Sequence, residues 1–198
     1  GSISLFGKEM KPKSEYQSIK NGIAFVTENR RETGFFHNFD IKENISILPF
    51  IKNSKLRGTW GLLNNKLEKS YANNEKGKLN IKCSSIDQNI TELSGGNQQK
   101  VIIGRALLTE PEVLMLDEPT AALDPILTSE VLEMIGTLKK ERKDFIIVTH
   151  EMGFAHDVAN RVVFMDQGVI VEDDIPEVIF DSPKHNRTRE FLSRMLNK

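Results

Sequence analysis

The sequence predicts an α/β fold in three layers, with helices on both faces of a mostly parallel sheet. Four short apolar runs have the length of buried strands, at residues 23–26, 113–116, 145–149 and 161–166. Segments long enough to form helices separate these runs, and that alternation is typical of parallel sheets. Ligands of such sheets bind at the carboxyl ends of the strands, so the residues that follow each run are the first place to look for a site.

The stretch Leu93–Asp124, LSGGNQQKVIIGRALLTEPEVLMLDEPTAALD, begins with a polar turn that opens a helix. Ser94 can cap this helix, and Gly95 and Gly96 have no side chain to keep an anion away from the exposed N–H groups. The helix dipole adds partial positive charge at the same point. The turn therefore predicts a phosphate-binding site, although a Ser-Gly-Gly turn by itself is more often only a loop-to-helix connection.

The same stretch continues with an apolar run, residues 113–116, that leads directly into Asp117 and Glu118. This pattern predicts a buried parallel strand with two carboxylates at its C-terminal end. Asp117 would hold Mg²⁺ directly or through water, and Glu118 would polarise an attacking water. An acid pair after a strand is often only a solvated strand end. The prediction of a nucleotide site therefore depends on finding the acid pair together with the Ser-Gly-Gly turn.

Composition limits the classes of protein to consider. The 198 residues include 27 basic and 28 acidic side chains, and this balance argues against a general nucleic-acid or anionic-membrane surface. A single cysteine, Cys83, excludes an internal disulfide and a cysteine-cluster zinc site. No apolar run approaches the ~20 residues of a membrane helix, and no signal peptide is visible. We expect a soluble chain that reaches a membrane only through a partner.

These motifs resemble those of ATP-binding cassette (ABC) ATPases. LSGGNQQK resembles the signature motif, VLMLDEPT the Walker B strand with its catalytic glutamate, and Ala122-Leu123-Asp124 the D-loop. VTENR resembles the Q-loop position with Glu28 in place of glutamine, and Thr149-His150 resembles the H-loop, although a lone histidine at a strand end is usually structural. The resemblance implies a P-loop NTPase-like (RecA-like) core with an inserted α-helical subdomain.

The resemblance also implies a site composed of two cassettes. In the family, ATP is held between the Walker motifs of one cassette and the signature of the other. It assigns catalysis to Glu118 and His150, and Mg²⁺ to Asp117 and Glu28. Contacts to ATP fall to Ser94, Gly95, Gly96, Gln98, Glu28 and Asp124.

The domain prediction is a partial ABC ATPase domain over residues 1–198. Residues 1–39 hold core strands and the Q-loop region, 40–100 the helical subdomain ending in the signature, and 101–198 the rest of the core. Asp40 and Glu43 form a capping box for a helix through Ile45 and Leu48. Residues 64–82 are polar with weak periodicity, and Trp60 is expected to pack against this subdomain.

The opening residues predict a short strand, Ile3 to Phe6, with a turn at Gly7-Lys8. They are not a phosphate-binding P-loop, because five residues rather than four separate Gly1 from Gly7, and Glu9 follows the lysine. The resemblance therefore implies an N-terminally truncated chain that begins downstream of Walker A. Such a chain would leave part of its central sheet exposed and would self-associate or be marginally stable.

The last third of the chain predicts more local structure. Pro125 starts a helix, residues 161–171 form a hairpin with its turn at Gln167-Gly168, and two amphipathic helices end the sequence. The segments up to about Thr109 resemble second cassettes of sugar importers. From about Ala121 onward they resemble polar amino-acid importer ATPases, which suggests a recombinant or engineered fusion.

The leading functional hypothesis is the ATP-hydrolysing subunit of an ABC importer of sugars or polar amino acids. It would pair with a second cassette and membrane permease subunits, on the cytoplasmic face of the membrane. The alternative is a non-catalytic fragment or chimera, because the isolated chain lacks Walker A. A DNA-repair or chromosome-structural ABC protein is disfavoured, since no long heptad repeat is present.

Overall fold

The computed structural model describes residues 3–11, 13–52, 64–140 and 144–196. The chain divides into two compact units, Gly1–Val148 and Thr149–Lys198. Trp60 lies outside the described residues, so its predicted packing stays a prediction. Within the described ranges, no helix combines the length and apolar character needed to cross a membrane.

The first unit contains five strands and five α-helices among its described residues. The strands are β1 Ile3–Leu5, β2 Lys8–Met10, β3 Ile23–Val26, β4 Val113–Asp117 and β5 Asp144–Val148. The helices are α1 Glu15–Lys20, α2 Ile41–Lys52, α3 Asn65–Lys78, α4 Gly95–Leu107 and α5 Pro125–Lys140, with a π-helical turn at Arg30–Gly34 and a 3₁₀ turn at Ile90–Glu92. The second unit contains α6 Met152–Val158, β6 Val162–Asp166, β7 Val169–Asp174, α7 Pro176–Asp181 and α8 Asn186–Leu196.

A parallel sheet in the order β3-β4-β5 forms the centre of the first unit. Val26 is paired with Leu116, and Leu116 with Ile147, so the three strands end at the same edge. Three of the four strands predicted for this sheet are therefore confirmed. The chain has an α/β architecture, as the alternation of apolar runs with helical segments predicted.

The prediction that residues 161–166 form a fourth strand of the parallel sheet is wrong, although these residues do contain a strand. Strand β6 pairs antiparallel with β7 in a separate two-stranded sheet. Gln167 and Gly168 both have positive φ angles, 49° and 77°, as a tight two-residue hairpin turn requires. This local turn joins β6 to the next strand along the chain, and the predicted hairpin is confirmed.

The two faces of the parallel sheet differ in exposure. On one face Ala24, Val26, Leu114 and Leu116 are almost completely buried. On the other face Phe25, Met115 and Ile146 lie side by side, and Phe25 and Ile146 are 58% and 51% exposed. Residues 145–149 were predicted as a core strand; Asp144–Val148 form strand β5 of the sheet, but none of these residues is buried.

The helices between β3 and β4 pack on one another, α2 against both α3 and α4. The capping box is confirmed: the N–H of Asp40 donates to Glu43 Oε2, and the N–H of Glu43 donates to Asp40 Oδ1, both at 2.9 Å. Within the polar segment 64–82, Asn65–Lys78 form a regular helix, α3, despite the weak periodicity. Its buried Glu68 accepts a hydrogen bond from Ser46 Oγ in α2 at 3.0 Å. The packing of α3 against α2 therefore includes a buried polar contact.

Replacing Asp40 with alanine removes one half of the capping box. The first turn of α2 loses its side-chain acceptor, and we expect a loss of about 1 kcal/mol in the free energy of unfolding. Urea denaturation followed by circular dichroism measures the change. Asp40→Asn retains an acceptor and serves as the control, so equal losses in both variants would contradict the capping role.

The exposed face of the sheet predicts self-association through a second copy of the chain. Contiguous exposed apolar side chains on a sheet favour association, because burying them removes apolar area from water. We expect Phe25→Lys to shift sedimentation-velocity profiles toward the monomer. Ile126→Lys is the matched control, since Ile126 is 75% exposed but lies at the start of α5. Identical profiles for both variants would contradict the prediction.

Candidate functional site

Acidic residues lie at the edge where the parallel strands end, although the described residues contain no group of three or more His, Cys, Asp or Glu side chains placed to hold a metal ion. Asp117 is the last residue of β4 and is half-buried, and Glu118 follows it. Val26 is paired with Leu116, so Thr27 lies beside Asp117, and the exposed Glu28 comes next along the chain. The structure therefore brings Glu28, Asp117 and Glu118 to the carboxyl edge of one sheet, where α/β proteins bind ligands.

The backbone at Glu118 adopts a conformation that few non-glycine residues adopt. Its φ angle is 41°, and Ala122 in the D-loop has a φ angle of 56°. The N–H of Glu118 donates to the Val148 carbonyl at 2.9 Å, and the N–H of Ala121 donates to the Glu118 carbonyl at the same distance. Such strained positions cluster at functional sites. Phe6, Asn80, Glu110 and Gln167 have similar φ angles, so the strain by itself assigns no role to Glu118.

His150 belongs to the second unit, Thr149–Lys198. Its side chain is exposed, and its Nε2 lies 3.7 Å from Glu151 Oε1. The Glu151 N–H donates to the Thr149 hydroxyl at 3.0 Å. The catalytic role predicted for His150 stays a prediction.

Helix α4 begins at the predicted Ser-Gly-Gly turn, but Ser94 does not cap it as predicted. Ser94 occupies the N-cap position without a capping hydrogen bond from its side chain. Its hydroxyl instead accepts from Asn97 Nδ2 at 2.9 Å, and Asn97 Oδ1 accepts from the N–H of Lys82 at 2.8 Å. The first-turn amides of a helix have no intrahelical partner, so without this cap they and the helix dipole remain suited to an external anion.

The two glycines of the turn are close-packed against the chain itself. A Cβ added to Gly95 would lie 2.9 Å from Leu123 Cδ2 and 3.0 Å from Arg30 Nη2. A Cβ added to Gly96 would lie 3.1 Å from Leu127 Cδ2. Glycine is needed here for close approach inside this chain as well as for access to an anion. The same contacts bring the signature turn, the D-loop and the residues after the Q-loop position together.

Arg30 is a residue of this site that the sequence did not single out. It begins the π-helical turn Arg30–Gly34 and is only 5% exposed. In the described part of the chain, its Nε and Nη1 are buried without a hydrogen-bond partner. Burial, and then the positive charge of Arg31, lower the pKa of Arg30. In the sequence it is one polar residue among several in a predicted loop, and only its burial distinguishes it.

Gln98 and Asp124 have structural roles in this arrangement. The buried Gln98 amide donates to the carbonyls of Ile90 and Leu93, at 3.3 and 3.1 Å. Asp124 Oδ1 accepts the N–H groups of Ile126 and Leu127, both at 3.0 Å, and so caps α5. The geometry commits both side chains to internal hydrogen bonds, and the ATP contacts predicted for them stay predictions.

The model of the ABC transporter family matches residues 1–121, which is more than half of the chain. The chain belongs to the ABC transporter family. The resemblance of its motifs to ABC ATPases is thereby confirmed.

Relatives of this ABC chain include transport ATP-binding proteins of two kinds. It is 37% identical to the D-allose import ATP-binding protein AlsA of Escherichia coli K12 over 89% of this chain and 36% of AlsA. It is also 37% identical to the glutamate transport ATP-binding protein GluA of Corynebacterium glutamicum, over 99% of this chain and 76% of GluA. The chain thus spans about a third of the sugar-import relative and about three quarters of the glutamate-transport relative.

The fold of this ABC chain matches a solved structure. That structure is a dimeric post-hydrolysis state of the ATP-binding cassette MJ0796 bound to ADP and Pi. The match has a TM-score of 0.71 and 20% identity, and covers 89% of this chain and 73% of the other. The predicted P-loop NTPase-like fold class is confirmed.

Adding a methyl group at Gly95 tests the close approach at the signature turn. In Gly95→Ala the new Cβ meets the ends of Leu123 and Arg30, which must shift, and we expect a loss of roughly 1–2 kcal/mol in the free energy of unfolding. Gly77→Ala is the control, because nothing lies within 4 Å of its added Cβ in α3, and there we expect a gain of about 0.5–1 kcal/mol. Thermal denaturation measures the change in stability of each variant. An increase in stability for both Gly95→Ala and Gly77→Ala would contradict the close approach at Gly95.

Proposed function

We propose that this chain is the ATP-binding subunit of an ABC importer for small solutes, a sugar or a polar amino acid. One observation carries the proposal: Asp117 and Glu118 lie at the carboxyl edge of a parallel sheet, with the uncapped signature turn in the same unit. These are two of the devices that ATP hydrolysis uses, carboxylates for metal and water and backbone amides for phosphate. The names of AlsA and GluA, which concern import and transport, support an importer.

We infer a different role in ATP hydrolysis for each side chain at the sheet edge. The carboxylates of Asp117 and Glu28 would hold Mg²⁺, directly or through water, and these are the oxygen ligands that this ion prefers. Bound Mg²⁺ would neutralise charge on the phosphates of ATP. Glu118 would accept a proton from the attacking water, and His150 would contact the terminal phosphate. The strained backbone at Glu118 fixes where its carboxylate projects.

The signature turn would act on ATP held by a second cassette. Ser94, Gly95 and Gly96 would present first-turn amides to its phosphates, with Gln98 and Asp124 nearby. The internal hydrogen bonds of Gln98 and Asp124 favour indirect roles, in which they hold the turn and α5 in place. We infer a pair of cassettes attached to permease subunits at the cytoplasmic face of the membrane, and no role for nucleic acid.

The alternative is an ABC-derived chain, a fragment or a chimera, that does not turn over ATP by itself. The opening residues do not supply a P-loop to the isolated chain. Gly7 and Lys8 lie in the β1–β2 hairpin, whereas a P-loop joins a strand to a helix. Glu9, on the same hairpin, would repel phosphate.

Calorimetry with Mg·ATP tests the proposed site on the purified chain. We expect weak binding and negligible hydrolysis, because none of its 198 residues forms a P-loop motif to hold the β- and γ-phosphates. Asp117→Asn should weaken the binding further, since it removes a metal-binding carboxylate. Glu177→Gln, an exposed carboxylate in α7, is the control. Equal heats from all three proteins would refute a nucleotide site at the sheet edge, and hydrolysis that Glu118→Gln abolishes would contradict the expected inactivity.

A further inference from the structure

The guanidinium of Arg30 is a buried positive charge beside the first turn of α4. Its Nη2 lies 3.0 Å from the position of a Cβ on Gly95, so the group is packed against the backbone that opens the helix. The positive end of the helix dipole is at the same place. The Arg30 guanidinium and the positive end of the helix dipole repel each other. A negative charge beside them would offset this repulsion.

Nothing in the described part of the chain compensates this charge. Nε and Nη1 of Arg30 are buried and have no hydrogen-bond partner there, although a guanidinium has five donors. An unpaired buried donor costs more free energy when it belongs to a charged group than when it belongs to a neutral one. The unpaired guanidinium donors therefore favour an anion as their partner.

The position of Arg30 is fixed by contacts along the whole helix. The π-helical turn Arg30–Gly34 packs on α4, and a Cβ added to Gly34 would lie 2.9 Å from Ile102 Cδ1. The Arg105 guanidinium in α4 donates to the Gly34 carbonyl and lies over the Phe36 ring. Burial lowers the pKa of Arg105 to about 10.

We propose that Arg30 and the first-turn amides of α4 form one anion-binding site, in which the guanidinium contacts a phosphate group of a nucleotide. The inference rests on the proposed function, which supplies the nucleotide through a second cassette. It adds a charged side chain to a site otherwise composed of amides and the Ser94 hydroxyl. Charge-assisted hydrogen bonds from a guanidinium are stronger than bonds from neutral amides, so Arg30 would supply much of the affinity.

Inorganic phosphate is the probe, titrated at constant ionic strength into the purified chain while thermal unfolding and calorimetric heat are measured. We expect saturable binding that raises the melting temperature of the wild type. Arg30→Gln should weaken phosphate binding by at least about tenfold. Arg31→Gln is the matched control, because Arg31 is the exposed neighbour in the same turn, and it should stay within about twofold of the wild type.

A purely structural role for Arg30 gives a different result. If the guanidinium only held the turn together, Arg30→Gln would lower the melting temperature without phosphate. Under the proposal, the variant without phosphate is as stable as the wild type or more stable, because an unpartnered buried charge is gone. Arg30→Lys provides a second test that retains charge but loses the bidentate geometry, and it should bind phosphate with intermediate affinity.

Several results would overturn the proposal: wild-type phosphate affinity in Arg30→Gln or Arg30→Lys, or equal losses in the Arg30 and Arg31 variants. ATP should displace phosphate from the wild type, and Arg30-dependent phosphate binding that ATP does not displace would overturn the assignment to a nucleotide. Failure of the proposed function has a different signature, namely Mg·ATP heats that do not depend on Asp117 while phosphate binding still depends on Arg30. Asp117-dependent Mg·ATP binding without any phosphate binding would overturn the Arg30 site alone.

Discussion

The close contact between the π-helical turn Arg30–Gly34 and α4 is the constraint on which the candidate site depends. At one end Gly95 has room for no side chain between Arg30 and Leu123, and further along Gly34 has none against Ile102. Because both glycines permit close backbone approach, the residues after strand β3 and the start of α4 are held in a fixed relation. A signature turn is useful only if its amides are held in place, and this contact does that.

Two features of the site carry a cost that ordinary packing does not explain. Glu118 holds a left-handed backbone conformation, and Arg30 holds a positive charge away from water without a partner among the described residues. A left-handed residue also occurs at ordinary turns such as Gln167, whereas a buried guanidinium with unpartnered donors is a state that folding alone would avoid. Both features lie in the segments that the family motifs mark, which is why they support a nucleotide site more strongly than either motif does alone.

The exposed face of the parallel sheet has a related physical meaning. Parallel strands normally have both faces covered, yet Phe25 and Ile146 are more than half exposed on one face. The opposite face is packed by residues such as Leu114 and Leu116, so the sheet is stabilised from one side. This asymmetry gives the chain an apolar surface that favours association, and it separates the well-packed helical side from the exposed side.

The sequence by itself determined what depends on neighbours along the chain. The capping box of Asp40 and Glu43, the hairpin turn at Gln167-Gly168 and the strand that ends at Asp117 follow from local spacing, and the motifs determined the family. Tertiary structure alone decided the pairing of β6, the exposure of β5, the partner of the Ser94 hydroxyl and the burial of Arg30. The physical reason is that pairing, exposure and desolvation arise from contacts between segments far apart in sequence, which periodicity and spacing do not encode.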